Sequence, residues 1–306
     1  MPNKKTALAL SFSAVALLGG CSASSGSGAV PLSMSSMERS WRVGADSGSA
    51  GSVYVTDTAS DTVDTFANGT WSQTGDISKG VSAPNADNVD AKGNLYVANE
   101  GTANIVEYKA GGTSPSFYYK SHMTNPVNVT IDSKGNVYEA DYNGGYVNEY
   151  AQGKDTVLYS CAPGPVEGVA IDTSGDVFVA YNVKPKAQIV EYKGGLSGCK
   201  GTVLGAEFDF VGGIALDKDA NLIVCDQDAG KVDLVKPPYA KVSRGIGKGF
   251  KDPLHVTLNA ANTYLFLIDY ARSEALVLNY PSGSEVTKLA GLTSPTGAVD
   301  SSNAVY

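Results

Sequence analysis

From residue 53 onward the chain is written in short apolar strings of four to seven residues, set apart by clusters of Gly, Asn, Asp and Ser. Runs rich in Ala, Glu, Lys and Leu at helical spacing are absent. The strings resemble one another. VYVTD at 53–57 matches LYVAN at 95–99, VYEAD at 137–141, VFVAY at 177–181, LIVCD at 222–226 and LFLID at 265–269. Their last positions, Asp57, Asn99, Asp141, Tyr181, Asp226 and Asp269, are 42, 42, 40, 45 and 43 residues apart. A second ladder, Phe66, Tyr108, Tyr150, Tyr192, Val235 and Tyr280, advances by 42, 42, 42, 43 and 45. Two ladders with one period mark a repeat protein.

Each unit predicts four strands. The third shows them best: an apolar string Pro126 to Asp132, a turn Ser133-Lys134-Gly135-Asn136, a second string Val137 to Asp141, a third Tyr146 to Tyr150, a turn Gln152-Gly153-Lys154, and a fourth Thr156 to Ser160. Gly135 supplies the positive φ that a tight hairpin demands. Short strands with turn signals every 8–12 residues predict an all-β chain, and four strands per repeat predict a propeller. A seventh unit is partial: PTGAVD at 295–300 repeats the first strand, and the first unit lacks that strand because Ser and Gly precede Val53. The expectation is a six-bladed β-propeller over 51–306, with four-stranded blades, closed by the C-terminal strand pairing with the N-terminal blade so that no sheet edge stays free. Val305-Tyr306 repeats the role of Val53-Tyr54, so one pair is displaced or the chain is a shortened form of a longer product.

Composition agrees and adds an address. Gly is 35 of 306 residues, about 11% against a usual ~7%. The net charge is −8, and no basic stripe is visible, which argues against a nucleic-acid partner. At the N-terminus Lys4 and Lys5 precede an apolar run of 12, Ala7 to Leu18, and then Gly19-Gly20-Cys21. The run is too short to span a bilayer and suits a signal peptide. This segment resembles a bacterial lipoprotein signal, with Gly19 where Ala or Ser is commoner. The resemblance implies removal of residues 1–20, lipid on the Cys21 thiol, and a membrane-anchored lipoprotein of the bacterial cell envelope facing outside the cytoplasm. Loss of Lys4 and Lys5 leaves a charge of −10. Residues 21–50 are a Ser/Gly-rich tether with a typical reach of about 30 Å; Trp41 in it reads as a docking residue.

Units such as GVAIDTSGDVFVA at 168–180 resemble NHL-type repeats and the wider six-bladed group of gluconolactonases, strictosidine-synthase-like proteins and peptide-amidating lyases. The similarity spans about 51–306 and speaks for fold more than activity. The Asn-His-Arg that names NHL units is replaced by Thr102-Ala103-Asn104 and Gly144-Gly145-Tyr146, so partner recognition does not carry over. The three-His zinc site implied by the amidating lyases cannot be built from two His, His122 and His255. A gluconolactonase-like metal set is available in Glu167, Asn128 and Asn85, and His255 is a candidate base or lyase residue.

In this fold the first strand begins at the top face. The ring of first-strand starts is Ala86, Asn128, Gly168, Gly213, His255 and Thr296, with Asn85, Val127, Glu167, Gly212, Leu254 and Pro295 just above. Ligand-binding candidates converging on the channel mouth are therefore Asn85, Asp87, Asn128, Glu167 and His255. The ring Asp57, Asn99, Asp141, Asp226 and Asp269 has the oxygen chemistry of a Ca²⁺ site, but its repetition in nearly every blade favours loop capping. Asp217 to Asn221 imitates an EF-hand start yet lacks Gly at the sixth place and occupies the hairpin slot. Cys161 and Cys199 lie about one blade apart, which leaves a disulfide between them open, and Cys225 reads as a small core residue. The expected function is a lipid-anchored binding or scaffold module for a protein, glycan or small ligand on the top face, with no required cofactor and no assigned catalytic residue. The alternative is a metal-dependent lactonase, hydrolase or lyase using a divalent ion such as Ca²⁺.

Overall fold

The computed structural model of the chain describes residues 51–302. The expected signal segment, Cys21, the expected tether with Trp41 and the Val305-Tyr306 pair lie outside the described residues. Among the described residues twenty-four strands, β1 to β24 in chain order, form six four-stranded sheets. The inner strands are β4 (Pro84–Val89), β8 (Pro126–Ile131), β12 (Val166–Ile171), β16 (Val211–Leu216), β20 (Pro253–Leu258) and β24 (Pro295–Asp300). Each packs on the next and β24 packs on β4, so the ring closes as a six-bladed β-propeller. Blade one has the order β24, β1 (Ser52–Asp57), β2 (Thr62–Ala67), β3 (Gln73–Ile77). Its seam is antiparallel, with Val53 opposite Asp300, Tyr54 opposite Val299 and Val55 opposite Ala298. The chain's last strand therefore supplies the strand its first repeat lacks.

The alternation that wrote the repeat also builds the core. Each sheet is apolar on both faces and shares a cluster with each neighbouring sheet. Val127, Tyr138 and Val147 of blade three, for example, pack on Val169, Val179 and Val190 of blade four. In the third blade β9 (Val137–Asp141) and β10 (Tyr146–Tyr150) have the expected bounds, and β11 (Val157–Cys161) starts one residue later than expected. The aromatic ladder needs one correction. Leu278 stands opposite Leu265 as Tyr108 stands opposite Leu95, so Leu278 fills the sixth rung and Tyr280 lies just beyond its strand. Apolar character alone satisfies that rung, so Leu278 serves where an aromatic stands in most other blades.

The repeated acids are fasteners. Asp132 Oδ1 accepts the N–H of Lys134 at 2.9 Å and of Asn136 at 2.8 Å, around Gly135 at φ 86°. Asp217 does the same for Asp219 and Asn221, so the EF-hand look-alike is a hairpin turn. The second ring clamps mainly the loop before the inner strand of its own blade: Asp269 takes the N–H of Lys251 at 3.0 Å and Asp252 at 2.9 Å, and Asp57 those of Thr293 and Ser294 at 2.5 and 3.1 Å. Capping of the following loop, the expected role, is added by Asp57 and Asp141 through Ala59 and Gly144. Cys161 and Cys199 form a disulfide with Cα atoms 5.4 Å apart, stapling the edge of blade three to a loop of blade four. Cys225 is a buried free thiol.

Candidate functional site: the top-face cavity

Every inner strand skips one register position near its start. The residues passed over are Asn85, Val127, Glu167, Leu254 and Thr296, and in blade five the skip covers Gly212 and Gly213. A bulge of this kind bends the strand and re-aims the extra side chain. Six bulges stand in a circle, and Asn85, Glu167, Leu254 and Thr296 line a cavity of about 650 Å³. Thr296, not Pro295, belongs to this upper ring, because Pro295 pairs with Asp57 as Pro84 pairs with Asn99; Gly297 takes the place beneath.

The wall above the bulges comes from two loop sets. Glu100, Gln227, Asp228 and Tyr270 follow directly on second strands, and Phe210, Lys251 and Asp252 lead into inner strands. Four carboxylates, Glu100, Glu167, Asp228 and Asp252, thus share the cavity with one lysine. Asn85 Nδ2 donates to Glu100 Oε2 at 3.3 Å. Burial, reinforced by the negative charge of Glu100, pushes the Glu167 carboxyl up to about 8. Near neutral pH Glu167 therefore keeps its proton and presents a donor, while Glu100 accepts. Burial and the charges of Asp269 and Asp228 also push Asp252 upward. Loop residues such as Glu100 and Asp228 were missed by sequence reasoning, although their place one or two residues after the repeated Asp/Asn ring was readable.

The five expected ligand residues do not converge. Asn85 and Glu167 share the top cavity. Asn128 and His255 lie one level down, lining a narrower pocket of about 60 Å³ with Asn88, Thr130 and Thr257. Their level is otherwise small because adjacent inner strands nearly touch. A Cβ on Gly168 would sit 2.9 Å from the Gly212 carbonyl oxygen, and one on Gly297 would sit 2.8 Å from Ala86 Cα. His255 Nδ1 is buried without a partner, and burial lowers the imidazole to about 4, so it stays neutral. Asp87 lines neither cavity. It is fully buried, no other residue hydrogen-bonds either carboxylate oxygen, and it lies near Tyr54 of blade one. The expected metal set of Glu167, Asn128 and Asn85 is split between two levels, and among the described residues no three His, Cys, Asp or Glu side chains cluster to hold an ion.

No protein-family model matches the chain, and no curated protein does. Among solved structures it is similar to a chain in the crystal structure of a nidogen/laminin complex, with a TM-score of 0.69 at 13% identity over 82% of this chain and 98% of that one. At that identity the likeness shows the fold: this is a β-propeller. The shape recurs in 1281 solved chains, too many for it to specify an activity, so function has to be argued from the site.

Proposed function

We propose that the protein is a binding module that takes a polar, hydroxyl-rich ligand, a small molecule or the end of a glycan, into its top-face cavity. The observation that carries this reading is the cavity itself: about 650 Å³, ringed by bulged residues, with amides, carboxylates and a proton-bearing Glu167 beside the aromatic ring of Tyr270. Preorganised donors and acceptors on a closed ring bind without paying to order a loop. Calorimetric titration with a panel of neutral and amino sugars tests this reading. Saturable binding is expected, weakened tenfold or more in Glu167→Ala and Glu100→Gln; a panel without binders, or binding indifferent to both variants, overturns it. The raised Glu167 is also the observation favouring a hydrolase or lyase, and turnover of a lactone and ester panel abolished by Glu167→Ala would transfer the conclusion to that reading.

The same proposal includes a lipid anchor at Cys21. Gly51 lies against Asn68 and Ser301 at the bottom of blade one, while Thr58, just past β1, lines the top cavity. Gly51, the first described residue, therefore lies on the face opposite the cavity. Cys21→Ala is expected to move the protein from the membrane to the soluble fraction; unchanged partition counts against lipidation.

A further inference from the structure

Blade three departs from its neighbours, blades two and four, at one motif. The third strand and the residue after it read Val106-Glu107-Tyr108-Lys109 in blade two and Val190-Glu191-Tyr192-Lys193 in blade four, but Asn148-Glu149-Tyr150-Ala151 in blade three. In both sisters the lysine turns back on the glutamate: Lys109 pairs with Glu107, and Lys193 Nζ lies 2.9 Å from Glu191 Oε1. Ala151 has no charge to offer. Glu149 is nonetheless 6% exposed, with the Asn136 amide donating to Oε1 at 3.2 Å and the Tyr138 hydroxyl beside it. Burial and the charge of Asp132 push its carboxyl upward against Tyr138 and Lys134. A buried carboxylate without its cation is costly.

Beside Glu149 there is room. A cavity of about 490 Å³ opens between blades three and four, walled by Glu149, Asp132 and Tyr138 on one side and Ser197 on the other. Leu158 and Tyr159 line it and are 44% and 42% exposed. The Cys161–Cys199 disulfide joins the strand that carries them to the turn that carries Ser197, so both walls are fixed. Lys134, on the rim, is exposed.

We infer that this groove is a subsite for a primary ammonium carried on an apolar chain, the chemistry of a lysine side chain. The ammonium takes the place that Lys109 and Lys193 fill in the neighbouring blades, against Glu149, and the methylene stem lies along Leu158 and Tyr159. The inference is independent of the top-face reading, since it uses other residues on another part of the molecule.

The repeat supplies its own test: Ala151→Lys restores the sister motif and offers Glu149 an internal ammonium, as Lys109 and Lys193 do for Glu107 and Glu191. The full-length protein is titrated with n-butylammonium and, in a second arm, with N-acetyl-lysine N-methylamide, following backbone amide shifts. Saturable shifts around Gly194 and Ser197 are expected, with at least tenfold weaker binding in Ala151→Lys and Glu149→Gln. The stronger arm tells a free amine from a peptide lysine. Unchanged melting of Ala151→Lys shows that the fold is intact; should that variant unfold, Glu149→Gln carries the comparison. The inference is overturned by the absence of saturable shifts in either arm, or by variants that bind as the wild type does.

Discussion

Asp87 shows how much one residue can oppose its own blade. In the pairing register its counterparts on the other inner strands are Val129, Val169, Ile214, Val256 and Ala298, all apolar. The chain places a carboxyl there, fully buried, with no hydrogen bond from any other residue to either oxygen. Desolvation holds its carboxyl well above the ordinary 3.8, so the folded protein keeps the proton while the unfolded chain releases it from about pH 4 upward. The unfolded state then binds fewer protons than the native one, and stability falls as pH rises through that window. Asp87→Val is expected to stabilise the protein by about 1–3 kcal/mol at pH 7, the usual cost of an unpaired buried polar group. The gap to the wild type should widen as pH is raised from 4. Urea midpoints measured at pH 4 and 7 check both; a variant less stable than the wild type would mean that Asp87 has a partner the geometry does not show.

At the scale of elements, what the sequence made legible follows from what repeats. The second strands announce themselves because both faces are buried, so VYVTD and its five copies carry apolar or small residues at nearly every place. The first strands were legible from their Pro or Gly starts, but the bulge was not. A skipped residue leaves no mark in a string of letters, and it moved Thr296 into the upper ring and separated Asn85 from Asn128. Side chains on either side of a bulge point to different levels of the channel, so of the five candidates only Asn85 and Glu167 share the upper cavity. The departures in blade three were all readable: Glu139 where blades two and four have Val97 and Val179, Asn148 for Val106 and Val190, and Ala151 for Lys109 and Lys193. Their meaning needed coordinates. Asn148 Nδ2 donates to Glu139 at 2.8 Å and Asn148 Oδ1 meets His122 Nδ1 at 3.0 Å, a polar strut inside an otherwise apolar interface.

Across the whole molecule the ring stands or falls on its seam. Contacts are mostly between strands within a blade and between adjacent inner strands, so stability is shared among nearest neighbours rather than held in one centre. A linear array would leave blade one without an inner strand and blade six without a neighbour. β24 supplies both at once: it pairs with β1 and packs between β20 and β4. Its Ala298 and Val299 are 2% and 0% exposed, and Thr296 reaches the Pro84 carbonyl of blade two at 2.8 Å. Without β24 the β1 edge is bare and the Asp57 clamp holds a loop that leads nowhere. A chain ended after Ser294 is therefore expected to lose cooperative unfolding and to expose apolar surface to a dye such as ANS. A synthetic peptide spanning 290–302, added in excess, is expected to restore the transition by filling the vacant inner-strand place. The peptide arm separates closure from mere loss of mass: a truncated chain that melts as the wild type does, or one that no peptide repairs, would place the stability of the ring elsewhere than in this strand.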